Sequence, residues 1–144
     1  MTAIHADVEL LRTGREPRLV AKMDSGWAVM GREQQLVGYC LLLPDPVVPD
    51  LNTLVGTERA QFLTDMARLG DAVRVATNCV RVNYAIFGNL EPALHAHVIP
   101  RFASEPEELR TKPYFAYDLA AAPRFDEAVH GEIRDRIKSL LESF

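Results

Sequence analysis

The chain has 144 residues in 16.1 kDa, 48% of them hydrophobic and 25% charged. These are the proportions of an ordinary globular protein, and they exclude a disordered, collagen-like or disulfide-scaffold chain. Sixteen Lys and Arg against twenty Asp and Glu leave a formal net charge of -4, which argues against coating nucleic acid or an anionic membrane.

Ile4, Val8 and Leu11 recur at helical spacing and predict a short opening helix ended by Gly14 and Pro17. Arg18–Met23 and Trp27–Met30 read as strands joined by a turn at Asp24-Ser25-Gly26, with a second turn over Gly31–Gln35. Val37–Leu43 is a nearly continuous apolar run, as in a central strand covered on both faces, and Pro44, Pro46 and Pro49 stop it. Thr57 is the expected N-cap of a long helix whose stripe Phe62, Met66, Leu69, Val73 and Ala76 packs on a sheet. Arg81–Phe87 and His95–Phe102 follow as an antiparallel pair of strands, linked by Gly88–Leu94 with its turn chemistry. Residues 103–123 carry three prolines and read as an extended surface segment pinned by Tyr114, Phe115 and Tyr117 to the body or to a partner. A last helix from Phe125 presents Val129, Ile133, Ile137, Leu140 and Phe144 on one face. The order predicts one α+β domain over 1–144, with 18–102 as core sheet and helix and 103–144 as extended segment and C-terminal helix.

Cys40 and Cys79 sit in apolar stretches without a CxxC partner and read as reduced core thiols. Met1–Asp7 is acidic where a signal peptide is basic, and the longest apolar run, Tyr39–Leu43, is too short for a bilayer span. A soluble cytoplasmic protein is the expectation.

Unusual groups concentrate in one stretch, Asn83–Arg101. In a strand His95 and His97 share a face, their Cα atoms roughly 6.5–7 Å apart. Such a pair can bind metal, act on a substrate or sit on a wet surface. Metal is the weaker option, because no third ligand stands at a helpful spacing. Asn83 and Asn89 add amide donors, and the Gly88-Asn89 backbone permits close approach of a ligand. Donors and imidazoles without a carboxylate dyad, catalytic Ser or Cys, or Walker loop point to handling of a phosphate. Arg101 either adds charge to that site or is a solvated residue after the strand. His5 and His130 read as surface histidines, and Glu91 is expected to face solvent.

The stretch His95-Ala96-His97-Val98-Ile99-Pro100-Arg101, led by Asn-Tyr-x-x-x-Gly-Asn over Asn83–Asn89, resembles the histidine triad (HIT) nucleotide hydrolases and transferases. The resemblance covers residues 18–102, with Leu41-Leu42-Leu43-Pro44 in keeping, and is specific only over 83–101. Ala93 stands where the family has its first histidine, which leaves His95 as the middle one and His97 as the last. The resemblance implies a five-stranded antiparallel sheet with flanking helices. It also implies cleavage at the α-phosphate of a dinucleoside polyphosphate or nucleoside phosphoramidate through a nucleotidyl-histidine. His95 is then the nucleophile, oriented by a backbone carbonyl at position 93, and His97 a hydrogen-bond donor. Asn83 and Asn89 would bind phosphate. No metal or cofactor is called for, and a nucleoside pocket is expected between Val20 and Leu36, with Trp27 as either lining or core. A homodimer is implied, residues 113–117 being one place for the contact. The alternatives are a nucleotide-binding protein with little or no catalysis, serving a regulatory or interaction role, and an interaction module that merely keeps the fold. Ala93→His is expected to raise activity or leave it unchanged.

Overall fold

The computed structural model describes residues 1–144. Five strands, β1 (Leu19–Lys22), β2 (Gly26–Met30), β3 (Cys40–Pro44), β4 (Arg81–Ile86) and β5 (Ala96–Arg101), form one antiparallel sheet in the order β1-β2-β3-β5-β4. Four helices accompany it: α1 (Ala3–Arg12), α2 (Gly56–Thr77), the single turn α3 (Glu107–Arg110) and α4 (Glu127–Ser143). The expected α+β architecture and the β4/β5 pairing are both present.

Strand alternation sorts the side chains into two layers. Ala28, Met30, Cys40, Leu42, Ala96 and Val98 face α2 and α4, where Phe62, Leu69, Val73, Ile137 and Leu141 meet them in the main core. Each such fully buried aliphatic or aromatic side chain contributes about 1.5–3 kcal/mol. On the opposite face α1 lays Ile4, Val8 and Leu11 over Val29, Leu43 and Ala93. A third cluster, Leu36, Tyr39, Ile99 and Tyr114, continues that face toward β5.

Several boundaries and faces differ from the sequence expectation. The apolar run begins its strand at Cys40, because Gly38 has φ +105 and turns the chain just before it. α2 opens one residue before Thr57, with Val55 as a cap that offers no side-chain bond. β5 starts at Ala96, so His95 is the residue entering the strand. In α4 the buried positions are His130, Gly131, Ile137 and Leu141, while Val129 and Phe144 are exposed. The first turn of α4 packs through His130. Its ring lies against Phe125 (centroids 5.7 Å) and its Nδ1 accepts the N–H of Asp126 at 2.9 Å. His130 is therefore a buried structural residue. His5 caps α1 in a reciprocal bond pair with Thr2.

Candidate functional site

His95 and His97 stand together on the α1 side of the sheet, each only 8% exposed. β5 carries His97 between Leu41 of β3 and Ala85 of β4, and the two imidazoles meet edge to face with centroids 5.0 Å apart. His95 Nδ1 lies 2.7 Å from the carbonyl oxygen of Ala93. A carbonyl only accepts, so Nδ1 carries the proton and Nε2 keeps its lone pair. The orienting group is backbone, which makes the side chain at position 93 irrelevant to the tautomer. Ala93 itself is 1% exposed and packed beneath α1. A larger side chain at this position would have to displace those α1 neighbours, which bears on stability, while the carbonyl that orients His95 would be unchanged.

His97 is enclosed by aromatic rings. Tyr39 stacks on it (centroids 5.9 Å, planes 13° apart), and Phe87 and Phe115 cover it at 5.9 and 5.1 Å. The Tyr39 hydroxyl lies 2.6 Å from His97 Nδ1. Burial, with His95 adding to it, brings the His97 pKa down to about 4, so the ring is neutral at ordinary pH. Burial likewise pushes the Tyr39 hydroxyl up, and it stays protonated.

Tyr39 is placed by a closed loop. A Cβ on Gly31 would lie 2.2 Å from the Tyr39 ring, so the ring occupies space that only glycine leaves open. The buried Gln34 amide donates to the carbonyls of Gly31 and Tyr39 and accepts from the Gly38 N–H. Tyr114 packs edge-on against Tyr39 at 5.0 Å and donates to the Glu33 carbonyl. The aromatic segment is thus pinned to its own body at Tyr114, with Phe115 half over His97.

Arg101 is neither solvated nor available to a ligand. Its side chain is 8% exposed and ion-paired with Glu105, itself 3% exposed. It also donates to Asn83 Oδ1 at 2.9 Å and to the carbonyls of Lys112 and Leu109 at 2.7 and 3.1 Å. Burial pushes the Glu105 carboxyl up, but bonds from Arg101, Tyr117 and the Phe102 N–H outweigh that and hold it below the usual range. The hub ties α3 and the aromatic segment to β5. Asn83, opposite Ile99 on β4, has its carbonyl oxygen committed to Arg101 and its amide donors left over. Asn89 sits exposed in the bend before Ala93, outside the hydrogen-bonded cluster. Glu91 is half buried and accepts the Ala3 N–H at the start of α1 at 3.4 Å, rather than facing solvent.

The two largest cavities do not contain the histidines. One of about 900 Å³ runs along β1 and α4, past Arg15, Lys22, Arg68, Arg134 and Lys138. The other, about 700 Å³, borders the site along β4, between Asn83, Phe87, Arg101 and Phe115. In the stretch expected to hold a nucleoside, Val20, Met23, Ala28 and Met30 belong to the main core. The Trp27 indole donates to Asp45 Oδ2 at 2.9 Å beside Arg12.

No protein-family profile matches the sequence, and no curated protein matches it significantly. Solved structures do match the fold. A histidine triad protein from Marinobacter aquaeolei VT8 superposes with a TM-score of 0.78 at 16% identity, covering 99% of this chain and 98% of that one. Another from Bradyrhizobium japonicum gives 0.75 at 20% identity, covering 85% and 89%. A hypothetical histidine triad nucleotide-binding protein from Sulfolobus tokodaii gives 0.74 at 13%, covering 96% and 92%. The chain has the histidine triad fold, as the motif at His95–Arg101 implies.

Proposed function

We propose that this protein is a nucleotide hydrolase or nucleotidyl transferase that cleaves at the α-phosphate, with His95 as nucleophile. One observation supports this above the others: the Ala93 carbonyl holds the proton of His95 on Nδ1, which frees the Nε2 lone pair. In the first step that lone pair forms an N–P bond to the α-phosphorus. The bond from phosphorus to the leaving group breaks, its electron pair departing with the leaving group. In the second step water attacks the nucleotidyl-histidine, the N–P bond returns its electrons to Nε2, and a nucleoside monophosphate and a proton are released. His97 and the free amide of Asn83 are the proposed donors to the phosphate oxygens, with Asn89 reaching the site from its exposed bend. Dinucleoside polyphosphates and nucleoside phosphoramidates are the proposed substrates. Nothing in the helices is long and apolar enough to cross a membrane. A homodimer is proposed as well, with the exposed Val80 and Tyr84 of the β4 edge as the apolar surface available to it.

A second reading, nucleotide binding with little or no turnover, is favoured by the 8% exposure of both histidines and by the cover of Phe87 and Phe115 on His97. Adenylated and guanylated substrates labelled at the α-phosphorus separate the two. The catalytic reading expects a covalent adduct that forms in the wild type and is lost in His95→Asn. Nucleotide binding without adduct or turnover supports the second reading, and equal rates in wild type and His95→Asn for every substrate sink the first.

A further inference from the structure

The two histidines of the site are held by opposite kinds of partner. Ala93 presents a carbonyl to His95, whereas Tyr39 presents a hydroxyl to His97. A hydroxyl can donate or accept, so the hydrogen-bond inventory decides which it does. The Tyr39 oxygen has His97 Nδ1 as its hydrogen-bond partner, in a cluster otherwise made of Leu36, Ile99 and Tyr114. If Nδ1 carried the proton, the Tyr39 O–H would be left buried without an acceptor, at a cost that native proteins seldom bear. If Tyr39 donates, every proton has a partner. Nδ1 is then the acceptor and the ring proton resides on Nε2.

Resting on the nucleotidyl-transfer reading above, we infer that Tyr39 is a positioning residue that holds His97 as a neutral imidazole with its proton on Nε2. His97 therefore stabilises the reacting phosphate by a hydrogen bond without surrendering a proton, and the site favours nucleotides whose leaving group departs as a stable anion. The groups around the His97 ring agree with this. They are Tyr39, His95, Phe87 and Phe115, with Leu41 and Ala85 as its strand neighbours. No carboxylate is among them to stabilise an imidazolium. Burial and the neighbouring His95 lower the affinity of the ring for a second proton in the same sense. An anionic leaving group, such as a phosphate, takes the electron pair of the broken P–O bond and departs without needing a proton. An amine leaving from a P–N bond must be protonated as it goes, and a neutral imidazole N–H is far too weak an acid to supply that proton.

Nitrogen-15 spectra of histidine-labelled protein test the tautomer directly, with His97→Gln assigning the signals. The wild type is expected to show His97 protonated at Nε2 and His95 at Nδ1. In Tyr39→Phe, His97 is expected to lose its single tautomer while His95 keeps its own. A wild-type His97 protonated at Nδ1, or one unchanged in Tyr39→Phe, overturns the role of Tyr39. The leaving-group preference is read from kcat/KM for a nitrophenyl ester and an alkyl phosphoramidate of the same nucleoside monophosphate. The ester is expected to lead by about tenfold or more, the equivalent of one good hydrogen bond's differential, and Tyr39→Phe to lower kcat more than it changes KM. A preference for the phosphoramidate overturns that part of the inference. Absence of turnover on both sinks the transfer reading and the leaving-group preference together, while the spectra still decide the tautomer.

Discussion

Replacing Arg101 with Met keeps the apolar stem of the side chain and removes the guanidinium, with its charge and all of its side-chain donors. In the wild type the guanidinium reaches Glu105 through Nε and Nη2 at 2.9–3.2 Å, Asn83 Oδ1 at 2.9 Å and the Lys112 carbonyl at 2.7 Å. The variant leaves the Glu105 carboxylate, 3% exposed, without its counter-ion. The Phe102 N–H (2.7 Å) and the Tyr117 hydroxyl (2.6 Å) remain as its partners and soften the loss. Breaking a buried pair from one side costs about 3–5 kcal/mol. The orphaned carbonyls lie in an exposed segment that can turn to water, so about 4 kcal/mol is the expected destabilisation. For a chain of this size that lowers the melting temperature by roughly 10 °C or more. Urea unfolding with the m-value held in view is the assay. Adding Glu105→Gln to Arg101→Met should recover about 1–3 kcal/mol, because the uncompensated charge is gone. A loss below about 1 kcal/mol for Arg101→Met, or a double variant worse than the sum of the singles, would refute the reading of Arg101 as a buried hub.

Ala93→His should cost about 1–3 kcal/mol by overpacking beneath α1, and it should add no rate, because the carbonyl already orients His95; urea unfolding run beside adduct formation checks both. Stability should also fall in acid. The His97 pKa lies near 4 in the folded chain against an ordinary 6.5, so the unfolded chain binds the extra proton first. Its contribution is whole above about pH 6.5 and is lost as pH falls toward 4, by up to ~3 kcal/mol. Urea midpoints measured across that window should slope less in His97→Gln. Asp45, which the Arg12 hydrogen bond holds down to about 2, extends the loss below the usual carboxylate range.

The histidine pair and the neighbouring β4 and β5 strands were legible because they depend on local pattern, alternation and turn residues, and the five-stranded sheet followed from the family resemblance carried by the seven-residue motif. What surrounds the histidines was not legible. Tyr39 reads in sequence as one more residue of the apolar Val37–Leu43 run, and its hydroxyl acquires meaning only when β3 lies beside β5. Arg101 looks like a solvated strand end until the Glu105 turn and the 109–112 carbonyls fold over it. His130 lies outside the apolar stripe of its helix, of which Ile133, Ile137 and Leu140 pack on the core, and a local bond to the Asp126 N–H and a contact with Phe125 are what bury it. In each case a side chain meets a backbone group or a distant segment, and neither leaves a period in the sequence.

The Tyr39–His97 bond joins residues 58 positions apart, across a β3–β5 pairing that the whole of α2 must bridge. Sequence-distant contacts of this kind are the slow ones to form, because a long loop must close before they give anything back. A half-assembled chain, with β1–β3 formed as a meander and α2 already helical, has no site at all. His97 would have neither its tyrosine nor its aromatic roof, and its ring would titrate as in a free peptide. The His97 tautomer is thus a reporter of complete assembly. It separates a fully folded molecule from a compact but unfinished one that far-ultraviolet circular dichroism would count as native.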